Sequence, residues 1–222
     1  MCLLLTISFV VKAQDSALVE KSKAMQEALR GQKRILKSNP LPILWGPIIL
    51  TNEYRLIYET PLALRQSAMI GVSYLAKGPF FDLIWFAADT TKSAHWAQLG
   101  QDAHMNGIRV QGMYRLYLTK KHLAPRGIYI GPQASYSTAK ITWKAYPDVY
   151  VQYTNVNANI FIGAQGVIEN VFVVDFFTGI GYKTNTYEFR TNGKTYTGNA
   201  IGISGRVEDL KLSLGFNLGY AF

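Results

Sequence analysis

Residues 210–222 read L-K-L-S-L-G-F-N-L-G-Y-A-F. Every second residue is large and apolar, from Leu210 through Leu212, Leu214, Phe216, Leu218 and Tyr220 to Phe222. Only small or polar residues stand between them: Lys211, Ser213, Gly215, Asn217, Gly219 and Ala221. Strand side chains alternate between two faces, so this segment has one bulky apolar face and one small, polar face. A soluble sheet would carry more charge on its solvent face. An apolar outer face, a polar inner face and a terminal aromatic fit the closing strand of a bacterial outer-membrane barrel. Phe216, Leu218, Tyr220 and Phe222 are then its insertion signal, read by the barrel-assembly machinery.

Period-two patterning recurs through most of the chain. Eight strands are expected, near 35–45, 51–60, 67–77, 106–118, 127–143, 151–164, 171–187 and 210–222, each bounded by Gly, Pro, Asn or charged turns. Pro40 and Pro42 restrict the first to a strand end or bulge. The connection at 61–66 is tight and the one at 119–126 is short. Those at 78–105 and 188–209 are long, and the fifth is moderate. The second, fourth and sixth are all short. That parity is expected of a barrel with both termini in the periplasm, short turns below and longer loops outside.

The faces separate cleanly. In the second strand Tyr54, Leu56 and Tyr58 oppose Glu53, Arg55 and Glu59. In the fourth, Ile108, Val110, Tyr114 and Leu116 oppose Arg109, Gln111 and Arg115. In the sixth, Val156, Ala158, Ile160 and Ile162 oppose Asn155, Asn157 and Asn159, and in the seventh, Phe172, Val174, Phe176 and Ile180 oppose Asp175. A lysine or arginine on a lipid face near the midplane costs about 2–4 kcal/mol. The charged set is therefore expected in the lumen, with Glu53, Glu59 and Asp175 pairing Arg55, Arg109 and Arg115. Eight strands leave just enough interior for side chains to fill, so a packed polar lumen is expected rather than a channel. Tyr54, Tyr58, Tyr114, Tyr117, Tyr129 and Tyr220 are candidates for interfacial girdles or for interior positions.

Composition agrees with dilute, alternating hydrophobicity. Charged residues make up 17% of the chain, below the roughly 25% of ordinary soluble domains. No run of about 20 apolar residues exists, which excludes a helical span. The first residues, M-C-L-L-L-T-I-S-F-V-V-K-A, read as a secretory signal (1–13) cut between Ala13 and Gln14, although no basic n-region precedes them. Cleavage would remove Cys2, the single cysteine, and with it any disulfide or thiol redox role. Residues 14–34 form a basic leader or short amphipathic helix, with Leu18, Met25 and Leu29 among Lys21, Lys23 and Arg30. The formal charge of +9 does not imply nucleic acid, since no nucleic-acid motif is present. The short turns, with Arg65, Lys120, Lys121, His122 and Arg126, and the leader hold the excess, where anionic head groups lie.

Catalytic chemistry finds little footing. His95 and His104 share the second outer loop with Asp82, Asp89 and Asp102, but their spacing fits no zinc motif. Ser93 lies two residues from His95, and no Gly-x-Ser-x-Gly occurs. No catalytic residue, cofactor or metal ligand is assigned. The run from Pro79 to Phe86, P-F-F-D-L-I-W-F, is apolar for a surface connection and suits self-packing or contact with acyl chains.

The runs E-Y-R-L-I-Y-E (53–59), S-A-M-I-G-V-S-Y-L (67–75), G-I-R-V-Q-G-M-Y-R-L-Y-L (107–118) and A-P-R-G-I-Y-I-G-P (124–132) resemble a family of small Bacteroidetes outer-membrane proteins of unknown function. That family is similar to the wider OmpA/OmpX-like barrel superfamily. The resemblance spans about residues 35–222. It implies a barrel fold and an outer-membrane location, and no reaction, ligand or catalytic residue.

The resulting expectation is an all-β chain: an eight-stranded antiparallel transmembrane barrel over 35–222 in a Gram-negative outer membrane. Its expected role is non-enzymatic, structural or recognitional, through extracellular loops above a sealed polar lumen. Its expected partners are outer-membrane lipids, lipopolysaccharide and the assembly machinery. Two alternatives differ in class: a lipid A-modifying rim enzyme using His95 or His104, and a lipocalin-like binder of a hydrophobic ligand. The binder needs an apolar interior.

Overall fold

The structure, a computed structural model, describes residues 32–41, 51–78, 102–119, 123–197 and 206–222, with backbone alone at 51 and 206–209. The signal segment with Ala13 and Gln14, the leader up to residue 31, the apolar run 79–86, Ser93, His95 and the basic turn 120–122 lie outside these residues.

Nine strands occur among the described residues: β1 (Ile35–Ser38), β2 (Thr51–Ala63), β3 (Gln66–Lys77), β4 (Ala103–Tyr117), β5 (Gly127–Trp143), β6 (Tyr146–Ile168), β7 (Phe172–Thr191), β8 (Lys194–Thr197) and β9 (Arg206–Ala221). Consecutive strands from β1 to β7 pair antiparallel, β7 pairs β9, and β9 pairs β1. Ile35 closes the ring, standing opposite Glu59 on one side and Ala221 on the other. Eight strands thus form a closed barrel. The short β8 folds back on the end of β7, pairing Thr191 with Lys194.

Both ends of the barrel chain meet at one rim. Arg34 and Phe222 exchange backbone hydrogen bonds of 3.0 and 2.9 Å. The turns β2–β3, β4–β5 and β6–β7 lie at this same lower rim, as strict up-and-down connectivity requires. Basic side chains tie them together: Arg65 donates from Nε to the Tyr117 carbonyl at 3.0 Å, Arg126 to Asn170 Oδ1 at 2.5 Å, and Lys33 to the Asn170 carbonyl at 2.6 Å.

Three elements differ from the sequence expectation. The first strand stops at Ser38 rather than near 45. Asn39 Oδ1 accepts from the Leu41 amide at 3.0 Å, and Pro40 between them has no amide to extend the ladder. The fifth connection is a two-residue turn at Lys144 and Ala145, because β6 already begins at Tyr146 rather than near 151, while β5 ends at Trp143 as expected. The seventh, expected as loop from 188, begins as a hairpin. Asn192 and Gly193 have φ of 50° and 73°, the left-handed pair that a two-residue primed turn requires.

The barrel wall is inverted relative to a soluble protein. Outward positions 54–58 of β2, 68–76 of β3, 106–116 of β4, 128–138 of β5, 154–168 of β6, 172–184 of β7 and 210–222 of β9 include no charged residue. Leu212 and Leu214 are 78% and 86% exposed, while Glu59 and Asp175, facing the axis, are fully buried. Fully burying one such leucine is worth about 1.5–3 kcal/mol, so a belt of this size demands an apolar surrounding.

Candidate functional site in the barrel lumen

Period-two geometry sends odd-numbered residues of the membrane-height strands inward, and their side chains meet in two layers. The lower layer draws one side chain from every ring strand: Lys37 (β1), Glu59 (β2), Ser67 (β3), Arg115 (β4), Tyr129 (β5), Gln165 (β6), Asp175 (β7) and Asn217 (β9). Lys37 Nζ donates to Glu59 Oε2 at 2.5 Å, Gln165 Oε1 at 2.7 Å and Asp175 Oδ2 at 3.1 Å. An ammonium has three donors, and all three are used. Arg115 donates to Glu59 at 3.3 Å, Gln165 at 2.8 Å and Asp175 at 2.8 Å.

The carboxylates are equally satisfied. Glu59 Oε1 accepts from Ser67 Oγ at 2.5 Å and from the Tyr117 hydroxyl at 2.8 Å. Asp175 accepts from the Tyr129 hydroxyl at 2.7 Å and from Asn217 Nδ2 at 2.8 Å. Two cations balance two anions with side-chain exposures of 0–1%. Buried charges persist only when paired and hydrogen-bonded in this way. Ile57, Met69, Met113, Phe161 and Phe177 pack beside the two tyrosines as a small apolar floor.

Local sequence makes room for this layer. Gly163 stands opposite Tyr129 in register, and a Cβ there would fall 2.4 Å from the tyrosine oxygen. Glycine lets the ring cross the neighbouring strand and reach Asp175.

The upper layer is looser. Arg55 Nε donates to Glu53 Oε1 at 2.9 Å, and Arg109 Nη1 lies 3.4 Å from Glu53 Oε2. Arg109 also donates to Ser135 Oγ at 3.0 Å, which accepts from Asn157 at 3.1 Å. Asn157 and Asn155 continue the chain to Asn185, where Tyr153 donates at 3.0 Å. Between the layers lies a cavity of 460 Å³, lined among others by Arg55, Arg109, Gln111, Lys211 and Ser213. The interior is therefore tightly filled below and hollow above, not uniformly packed: the long side chains of Lys37 and Arg115 fill the lower cross-section, whereas serines and asparagines leave space higher up.

Of the six charged residues singled out in the sequence, Glu59, Arg115 and Asp175 meet in the lower layer and Glu53, Arg55 and Arg109 in the upper. The two groups form separate networks. Lys37 completes the lower one and was not singled out, because Ile35 and Leu36 are both apolar and mask the alternation around it. Tyr117 and Tyr129 point inward at zero exposure, whereas Tyr54, Tyr114 and Tyr220 are exposed outside. His104 is exposed on β4, opposite Thr142 in register. Among the described residues no group of three His, Cys, Asp or Glu could hold a metal ion.

No family model and no curated protein matches the chain. Among solved structures, the translocator domain of autotransporter NalP from Neisseria meningitidis matches at 12% identity with a TM-score of 0.36, over 96% of this chain and 69% of that one. The barrel assignment stands on the strand register itself.

Proposed function

We propose that the chain is an integral outer-membrane barrel of a Gram-negative bacterium, related to the OmpA/OmpX-like superfamily, with the rim that joins Arg34 to Phe222 in the periplasm. The observation that carries this reading is the uncharged apolar belt around a lumen of buried ion pairs. Such polarity is stable only with hydrocarbon outside. The role is structural or recognitional: the barrel anchors extracellular connections, and the Lys37–Glu59–Arg115–Asp175 layer seals the lumen. Lipopolysaccharide and phospholipid surround it, and the assembly machinery reads its C-terminal strand. A lipocalin-like binder needs an apolar interior, which the charged lumen does not provide. The test is membrane fractionation with unheated and heated gels, followed by planar-bilayer recording. The expected result is a heat-modifiable outer-membrane protein with little or no conductance. A freely dissolved protein would contradict the location, and porin-sized conductance would contradict the seal.

A further inference from the structure

Among the described residues, the lining of the upper lumen carries unbalanced charge. Arg55, Arg109 and Lys211 line one cavity with a single carboxylate, Glu53. Three positive charges against one negative leave an excess of two. The side chains of Arg55 and Arg109 are only 11% and 12% exposed, so water screens them poorly. The lower layer cannot compensate, because its two cations and two anions already cancel. Both Glu53 oxygens are engaged, Oε1 by Arg55 and Oε2 by Arg109.

Unused polar atoms belong to residues lining the same cavity, the acceptors Gln111 Oε1 and Asn217 Oδ1 among them. Arg109 Nε and Ser213 Oγ are buried and have no hydrogen-bond partner. A buried guanidinium N–H left unmatched is costly and uncommon. The cavity of 460 Å³ greatly exceeds the roughly 30 Å³ of one liquid water, so a hydrated oxyanion fits.

We propose that this cavity is an anion site for a doubly charged oxyanion of the phosphate class, held by Arg55, Arg109 and Lys211 with Ser213 Oγ as a neutral donor. Arg109 Nε, with no partner of its own, supplies a charge-assisted donor of the kind phosphate oxygens accept. The phosphate has two sources, free solution or a lipid head group. The second is geometrically open because Leu212 and Leu214, which face outward, also border the cavity. The site goes beyond the anchoring role proposed above and depends only on the lumen geometry.

The test is calorimetric titration of the refolded full chain in a neutral detergent, first with inorganic phosphate and then with dihexanoyl phosphatidic acid. One saturable site is expected with at least one of the two probes. Binding to phosphate alone assigns the free anion, and binding to the lipid alone assigns the head group. Arg109→Gln and Lys211→Gln should each weaken binding at least tenfold. Lys140→Gln, on the outer wall, should leave it unchanged. Retained heat-modifiability certifies the fold of each variant, and Lys211→Gln decides the matter should Arg109→Gln not fold. No binding of either probe, or unchanged binding in the folded Lys211→Gln protein, would overturn the site.

Discussion

The guanidinium carbon of Arg115 lies 4.0 Å from the centroid of the Tyr129 ring, and both side chains converge on Asp175, Arg115 through Nη2 and Tyr129 through its hydroxyl. A cation over an aromatic face and a shared carboxylate thus join β4, β5 and β7 across the lumen. This contact is the centre of the layer to which all eight ring strands contribute.

Arg115→Ala removes the stack, three hydrogen bonds to oxygen and one to the Met113 sulfur, and leaves Glu59 and Asp175 with one cation between them. Breaking a buried pair from one side costs about 3–5 kcal/mol. Urea unfolding of the refolded barrel in vesicles should show a loss of that size. Arg115→Lys should recover part of it, because a point charge replaces a planar fork.

Lys37 and Glu59 should be strongly coupled. Lys37→Met strands Glu59 opposite Arg115 alone, and Glu59→Gln leaves Lys37 with Asp175 and Gln165. The double variant should lose less stability than the two single losses together, by at least about 1 kcal/mol, as residues in one network do. Strict additivity in the same unfolding assay would show that the two are independent.

Much of this arrangement was legible from parity alone. Once Glu53 and Glu59 are placed inside, every second residue of β2 follows, and the register carries the assignment to β3 and β4. Counting on from Arg115 by two also places Tyr117 inside, although tyrosine as a residue type is silent about face. The upper parts of β6 and β7 were not legible. Tyr146, Pro147, Asp148 and Tyr150, ahead of the expected start at 151, and Glu188, Phe189 and Arg190, past the expected end at 187, show no apolar stripe, because strand above the belt has no hydrocarbon to satisfy on either side. Asn192–Gly193 did carry a readable hairpin signal, obscured by the length of the connection around it. Lys37 was hidden by the shortness of β1, where four residues cannot establish a period.

Two lumen glycines should respond differently to the same change. At Gly163 an added Cβ would stand 2.5 Å from the Phe176 carbonyl as well as against Tyr129. At Gly71 the three nearest atoms all belong to the Gln111 side chain, at 2.9–3.2 Å, which can swing away. Gly163→Ala should therefore cost about 1–3 kcal/mol, and Gly71→Ala clearly less, in parallel denaturant titrations.

Outer-face charge should be penalised in proportion to depth. Ile160→Lys, outward on β6, should destabilise the refolded barrel by about 2–4 kcal/mol if it lies near the midplane. Lys140, outward and high on β5 with its ammonium 3.8 Å from the Tyr150 ring centroid, should be replaceable by Gln with little effect in the same assay.

The most direct test of the inverted wall is site-directed spin labelling along β6 in lipid vesicles, with single cysteines from 156 to 162 in a chain carrying Cys2→Ser. Collision with oxygen, which concentrates in hydrocarbon, should be high at 156, 158, 160 and 162 and low at 157, 159 and 161. A water-soluble nickel chelate should not reach the even-numbered set. Even-numbered labels that collide freely with the chelate, or odd-numbered labels that report hydrocarbon, would contradict the account.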